Sequence, residues 1–413
     1  MDENRMAFTQ VSLLTRFKIR SHLLLRKVPN DNYSSDNYSQ GGNLMANTGW
    51  GNVYKKLGAR PVINATGNQT VRGGSTPSPA VRDAMRQADE SYVEMEELLE
   101  KSGQFIAERL GVEDAYITAG CYTALVLASA TVMTGSDPDK CAQLPDTTGL
   151  KDEIVFQKMQ HYSYDRAFTI PGSKLINVGD ENACTADELS DAIGENTAAL
   201  AYLIQPNQGK AVPLEQAVEI AHAHELPLIA DAASQIYPLD YFRRNAQSAD
   251  LVCFGGKYFN APHSTGFVCG RKELIEIVRR HGFIGPRPVG RGMKVDRQEI
   301  IGLVTAIDIW LSTDHNKRLK EQDARYAALA QGLENLEGVS CEVRYQENSH
   351  TLSNLHVTCS GKEAAELAGG LDAGTPRIKV NTHGKDTLVI NAYTLNAGEE
   401  YIIANALQHL LRG

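Results

Sequence analysis

From about Arg60 onward, short apolar runs alternate with stretches of helical period, and this alternation constrains the fold more than any other feature of the chain. "DAYITAG", "DEIVFQKM", "KLINVG", "TAALAYLIQP", "LPLIADAA", "ADLVCFGG" and "TGFVCGR" have the length and residue types of strands. Between them, "TALVLASATVMT", "TADELSDAIG" and "LEQAVEIAHAHE" place apolar residues at helical spacing. Strands that take turns with helices are joined by crossovers, and crossovers build a mainly parallel sheet covered on both faces. The expected class is α/β. Ligands of such sheets sit at the carboxyl ends of the strands, so chemistry is sought there.

After Gly302 two long helical patterns precede "CEVRYQ", "NLHVTC", "RIKVN" and "TLVINAY", which interleave with helical "GKEAAELAGGL" and "AGEEYIIANALQHLLRG". This is an α+β segment too short for a second large domain. The expected organisation is a tail over residues 1–44, a large domain with an N-terminal arm over 45–310, and a small α+β domain over 311–413. The tail joins a basic stretch to "NDNYSSDNYSQGGN", which is too polar to bury a core. Two readings of it stand: a start codon upstream of Met45, or an oligomer arm.

The 413 residues, 42% hydrophobic and 22% charged, fit a globular protein with a large core. Forty-one basic against 50 acidic side chains give a net charge of −9, which disfavours nucleic acid as the main partner. Seven widely spaced cysteines without a C-x-x-C pair suit neither zinc nor a disulfide framework. No apolar run reaches the roughly eighteen residues of a membrane span, and the N-terminal stretch lacks the core of a signal peptide. The expectation is a cytoplasmic protein without a metal or membrane partner.

Three strand ends carry chemistry. In "AYITAGCYTALVLASA" a strand turns through small residues into an apolar helix, which gathers the free amides of Gly120, Cys121, Tyr122 and Thr123 at the positive helix end. That arrangement is an anion site, or else a tight turn without a ligand. Asp231 in "LPLIADAASQIYP" ends an apolar strand, where a carboxylate either meets a cation or caps the next turn. Lys257 in "DLVCFGGKYFNAPHSTG" ends another strand. The nucleotide-loop pattern fails there, because Leu251 and Tyr258 stand where it needs a glycine and a Ser or Thr. A phosphate cradle, a buried acid and a lysine at strand ends of one sheet are together what pyridoxal phosphate requires. His161 in "QKMQHYSYD" follows a further strand, placed to lie flat against the ring unless it is an ordinary loop residue.

The chain from about Gly58 to its end resembles the fold-type I pyridoxal-phosphate enzymes. Within them it is similar to the selenocysteine synthase group, L-seryl-tRNA(Sec) selenium transferase and D-glucosaminate-6-phosphate ammonia-lyase. The resemblance lies in "RPVINATGNQTVRGG", "YITAGCYTALVLA", "PLIADAAS", "GGKYFNAPHSTG" and "VGRGMKVDRQEIIGL". It implies Lys257 as the Schiff-base lysine, Asp231 as the ring-nitrogen partner, His161 as the stacking residue, and Gly120, Cys121 and Tyr122 as phosphate binders. It further implies that Ser264 and Thr265 complete a neighbouring subunit's phosphate site, which makes the protein a homodimer or higher homo-oligomer. Two features depart from the pattern. Gly255 and Gly256 stand where many relatives carry a phosphate-binding Ser or His, and we read them as letting the cofactor approach the backbone. The tRNA-binding N-terminal domain of selenocysteine synthases has no counterpart in the polar tail.

For the substrate, "GFIGPRPVGRGMKVDRQE" concentrates Arg287, Arg291 and Lys294 on a stiff loop, suited to a carboxylate or phosphate, or to a subunit contact. Arg377 in "GTPRIKV" is expected to clamp the substrate α-carboxylate, or to be a surface strand residue. His222 and His224 are no metal pair, since i and i+2 on a helix face different ways. The expected activity is α-proton removal from an amino acid or amino sugar acid followed by β-elimination, with racemisation, transamination and selenium transfer as alternatives. A cofactor-binding paralogue without turnover is the non-enzymatic alternative.

Overall fold

The structure is a computed structural model that describes residues 51–206, 208–346 and 348–412. The expected tail lies outside the described residues. A seven-stranded sheet dominates, built from β2 (Asp114–Thr118), β3 (Glu153–Gln157), β4 (Lys174–Val178), β5 (Thr197–Leu203), β6 (Leu228–Asp231), β7 (Leu251–Gly255) and β8 (Gly266–Gly270). Its order is β2-β8-β7-β6-β5-β3-β4. All seven expected strands are present. Every residue of β2, β5, β6, β7 and β8 is buried, as a sheet covered on both faces requires. The exception to parallel pairing is β8, which runs antiparallel to both β2 and β7. Its link from β7 holds only a short 3-10 turn, Gly256–Phe259, and without a crossover helix the chain returns antiparallel.

The helix Gly120–Thr134 lies against β6, β7 and β8 and is apolar all round, hence almost wholly buried. A second core gathers Tyr326, Leu329, Leu355, Val357, Leu388 and Ile403. It packs the helices His315–Leu333, Ala364–Ala373 and Glu399–Arg412 around an antiparallel sheet. That sheet has the order β12-β13-β10-β9, from β9 (Val339–Tyr345), β10 (Ser353–Cys359), β12 (Asn381–His383) and β13 (Thr387–Ile390).

The expected strand "RIKVN" is two. Its first half, β11 (Arg377–Lys379), pairs in parallel with β1 (Val62–Asn64), and its second half joins the antiparallel sheet. Through β1 the N-terminal arm places Ile63 and Ala65 in the second core. The helix Arg297–Ser312 buries Ile300, Leu303 and Trp310 in the first core. We therefore propose the division between domains at Thr313, with the arm spanning both. Among the described residues no helix is long and apolar enough to cross a membrane.

Candidate active site

The turn after β2 is fixed by two glycines. Gly120 has φ 84°, in the left-handed region that favours glycine, and the helix behind it starts with no side-chain cap. Its first-turn amides are therefore left for a ligand. A Cβ on Gly266 would stand 2.5 Å from the Gly120 carbonyl carbon and 2.6 Å from the Cys121 nitrogen. Only glycine there allows β8 to seat against the start of the helix.

Asp231 ends β6 and is 4% exposed. Its Oδ1 accepts from the Ala233 amide at 2.9 Å and from Cys121 Sγ at 3.5 Å, while Oδ2 accepts from the Tyr162 hydroxyl. Burial pushes its pKa up, and the Tyr162, Ala233 and Cys121 donors pull it back. Among the described residues no cation pairs with it. A buried carboxylate held by three neutral donors is suited to one cationic N–H, which the protonated ring of pyridoxal phosphate presents.

Lys257 follows β7 on the 3-10 turn and is half-buried. Its Nζ donates to Thr70 Oγ1 at 3.1 Å and lies 5.1 Å from the centroid of the Tyr258 ring. Burial lowers its pKa, so more of the amine is neutral than in water. One cavity of about 300 Å³ unites Gly120, Cys121, Tyr122, Asp231, Lys257, Ser264 and Thr265 with Thr70, Tyr164, Tyr258 and His263. An amine, an amide cradle and an unpaired carboxylate around one such space fit pyridoxal phosphate.

The remaining expected residues lie as follows. His161 does not line the cavity: its Nδ1 is bound to Asp165 and its Nε2 lies 2.6 Å from Asn177 Oδ1. The 3-10 turn Lys158–Gln160 redirects the loop, so that Tyr162 reaches Asp231 and Tyr164 supplies the cavity's aromatic wall. Arg377 is not in the cavity either, because its guanidinium binds Asp372 at 2.7 Å. Arg291 and Lys294 line a different hollow together with Glu94 and Glu96, Arg291 donates to the Phe283 carbonyl at 3.2 Å, and Arg287 is exposed. Ser264 and Thr265 line this chain's own cavity, with the hydroxyl of Ser264 donated to Glu299 and that of Thr265 to the Pro262 carbonyl.

Of the two glycines before the lysine, only Gly255 lines the cavity. Gly256 is small for another reason, since a Cβ there would stand 2.1 Å from Thr265 Oγ1. His222 and His224 have separate partners, Asp250 and Ser190. Thr70, Tyr162, Tyr164, Tyr258 and His263 went unread in the sequence. The glycine-flanked polar run "GNQTVRGG" was the available signal for Thr70.

A seven-stranded, mainly parallel sheet with this lysine cavity at its strand ends defines a fold-type I pyridoxal-phosphate enzyme. A serine palmitoyltransferase from Sphingomonas wittichii shares the fold at a TM-score of 0.53 and 16% identity, over 85% of this chain and 87% of that one. The chain belongs to the SelA family, L-seryl-tRNA selenium transferase, whose family model matches residues 165–374. It is 33% identical to a 5'-C-glycyluridine monooxygenase-decarboxylase from Streptomyces sp, over 79% of this chain and 83% of that protein. It is 29% identical to a D-glucosaminate-6-phosphate ammonia lyase from Salmonella typhimurium, over 87% of this chain and 98% of the relative. A solved structure of a D-glucosaminate-6-phosphate ammonia-lyase superposes with a TM-score of 0.79 at 28% identity, covering 88% of this chain and 99% of that one.

Proposed function

We propose that this chain is a cytoplasmic, homo-oligomeric pyridoxal-phosphate enzyme that removes the α-proton of an amino acid or amino sugar acid and eliminates a β-substituent, releasing ammonia. The observation that carries this reading is the pairing, in one cavity, of the Lys257 amine and the Asp231 carboxylate, neither of which has an ionic partner among the described residues. When bound, pyridoxal phosphate supplies an electron sink for the charge left on the substrate's Cα.

The protein's part follows from its own atoms. The first-turn amides of Gly120, Cys121 and Tyr122 would hold the phosphate with the positive end of the helix behind them. Asp231 would keep a proton on the ring nitrogen, and its donors Tyr162 and Cys121 fix the carboxylate's direction. Lys257 would carry the cofactor, and its free amine would take the α-proton at Nζ. Its lowered pKa favours that role, because only the neutral amine is a base. Tyr122 and Tyr164 line the same cavity and would be at hand to cover the ring.

Decarboxylation is the second reading, favoured by the 33% identity to a decarboxylase. Both readings are tested by incubating the purified protein with amino acids and 2-amino sugar acids, with and without a terminal phosphate. Ammonia, 2-oxo acid, carbon dioxide and optical rotation are followed together. Elimination yields ammonia and 2-oxo acid in equal amounts; carbon dioxide in their place establishes the second reading, and loss of rotation alone establishes racemisation.

A further inference from the structure

We infer that Thr70 is a positioning residue that receives the amine of Lys257 whenever that amine is free, and so fixes where it can take or give a proton. The inference rests on the reading of Lys257 as the cofactor-bearing lysine.

The segment from Asn68 to Gly74 grips Lys257 along its length. At the main chain, Asn68 Nδ2 donates to the Lys257 carbonyl at 3.0 Å and to the Gly74 carbonyl at 2.8 Å. At the far end, Lys257 Nζ meets Thr70 Oγ1 at 3.1 Å. Between them Gly74, at φ 69°, passes so close that a Cβ would stand 3.1 Å from Lys257 Cδ and 2.7 Å from His263 Cδ2. The loop is itself anchored from the other domain, because Asn68 Oδ1 lies 2.9 Å from Nε2 of the buried His350. Thr70 is thus held in place by bonds on both sides, with its hydroxyl lining the cavity.

The chemistry of the acceptor matters. A carboxylate at this position would hold the lysine protonated and end its use as a base. A hydroxyl oxygen accepts from both forms of the amine, more strongly from the charged one, so it orients the group without locking its charge. Burial already depresses the amine's pKa, and the other groups that face it are Cys121 and Tyr122 from the helix start, Tyr164, Asp231, Tyr258 and His263, with His350 behind. Among these Thr70 is the hydrogen-bond acceptor that the amine uses.

The test uses the full-length chain stripped of cofactor and then exposed to pyridoxal phosphate at a series of pH values. Adduct formation is followed by absorbance, and the adduct is located by borohydride reduction and peptide mass. Thr70→Val keeps the shape and removes the acceptor. Loss of an acceptor that favours the charged amine should lower the midpoint of the pH–rate profile by about half to one unit. Thr70→Ser, which keeps the hydroxyl, should restore it. A Thr70→Val midpoint within about 0.2 unit of wild type overturns the inference, as does an equal shift in both variants. An adduct on some lysine other than Lys257 in the wild-type chain would instead remove the reading on which the inference rests.

Discussion

Replacing Gly256 by alanine separates two explanations for the glycine that precedes Lys257. Its φ lies outside the left-handed region, so the backbone itself would accept alanine. The obstacle is packing: a Cβ would stand 2.1 Å from Thr265 Oγ1, 2.8 Å from the Thr265 carbonyl oxygen and 3.0 Å from Leu303 Cδ1. Thr265 is fully buried, and its carbonyl already accepts the Gly256 amide at 2.7 Å, so neither side can withdraw freely. Overpacking of this kind costs about 1–3 kcal/mol, and the stiffer unfolded chain offsets about 0.4–1 kcal/mol of it. The net expectation is a destabilisation of about 1–2 kcal/mol with cofactor affinity largely kept, since Gly256 does not line the cavity.

The assay is denaturant unfolding of the wild type, Gly256→Ala, Thr265→Ala and the double variant. Thr265→Ala alone loses the bond to the Pro262 carbonyl, made at 2.7 Å and worth about 1 kcal/mol. In that background the shortest contact of the added methyl group is gone, so its penalty should shrink by about 1 kcal/mol, a coupling that the cycle measures directly. A Gly256→Ala protein of wild-type stability that binds pyridoxal phosphate at least about tenfold more weakly would refute the packing argument and restore close approach of the cofactor as the reason for the glycine.

Lys257→Ala is expected to abolish both turnover and the borohydride-reducible adduct; an adduct that persists moves the cofactor to another lysine. Asp231→Asn should keep the fold and bind cofactor but lower kcat by more than about a hundredfold, and a near-normal rate would reduce Asp231 to a turn cap. His281 is fully buried, and burial lowers its pKa to about 4, from 6.5. A depressed folded pKa means that its contribution to stability is complete above pH 6.5 and is lost as the pH falls through about 4. The stability gap between wild type and His281→Gln should therefore narrow by about 3 kcal/mol between neutral pH and pH 4, and a gap that stays constant would show the ring is not held neutral.

The strands and the core of the site were legible for one physical reason. Runs buried on both faces are almost purely apolar, so a glycine turn, an Asp or a Lys at their ends stands out, and sheet topology brings such ends together. Gly120, Asp231 and Lys257, which the structure brings to one cavity, were picked out this way. What a local pattern does not contain is a residue's partners. His161 is bound to Asp165 and Asn177 while its neighbour Tyr162 reaches Asp231, and the 3-10 turn before them has no periodicity of its own. The Arg287–Lys294 cluster was read by counting cations, while Glu94 and Glu96, which line the same hollow as Arg291 and Lys294, lie at the start of the helix Met95–Leu110. Arg377 is the partial exception, because Asp372, five residues earlier, was there to be seen.

Few fixed charges face the substrate. Among the described residues the basic side chains lining the cavity are those of Lys257 and His263, and the cofactor claims the first. The pKa of His263 is lowered by burial and by Lys257, which leaves it mostly neutral at physiological pH. A substrate carboxylate must then be met by neutral donors such as Tyr122, Tyr164 and Tyr258, or by cations brought to the cavity mouth by a second copy of the chain. Tyr122 and Tyr164, which line the cavity, are 38% and 60% exposed in this chain. In the proposed homo-oligomer, cations from a second copy are the alternative to those neutral donors.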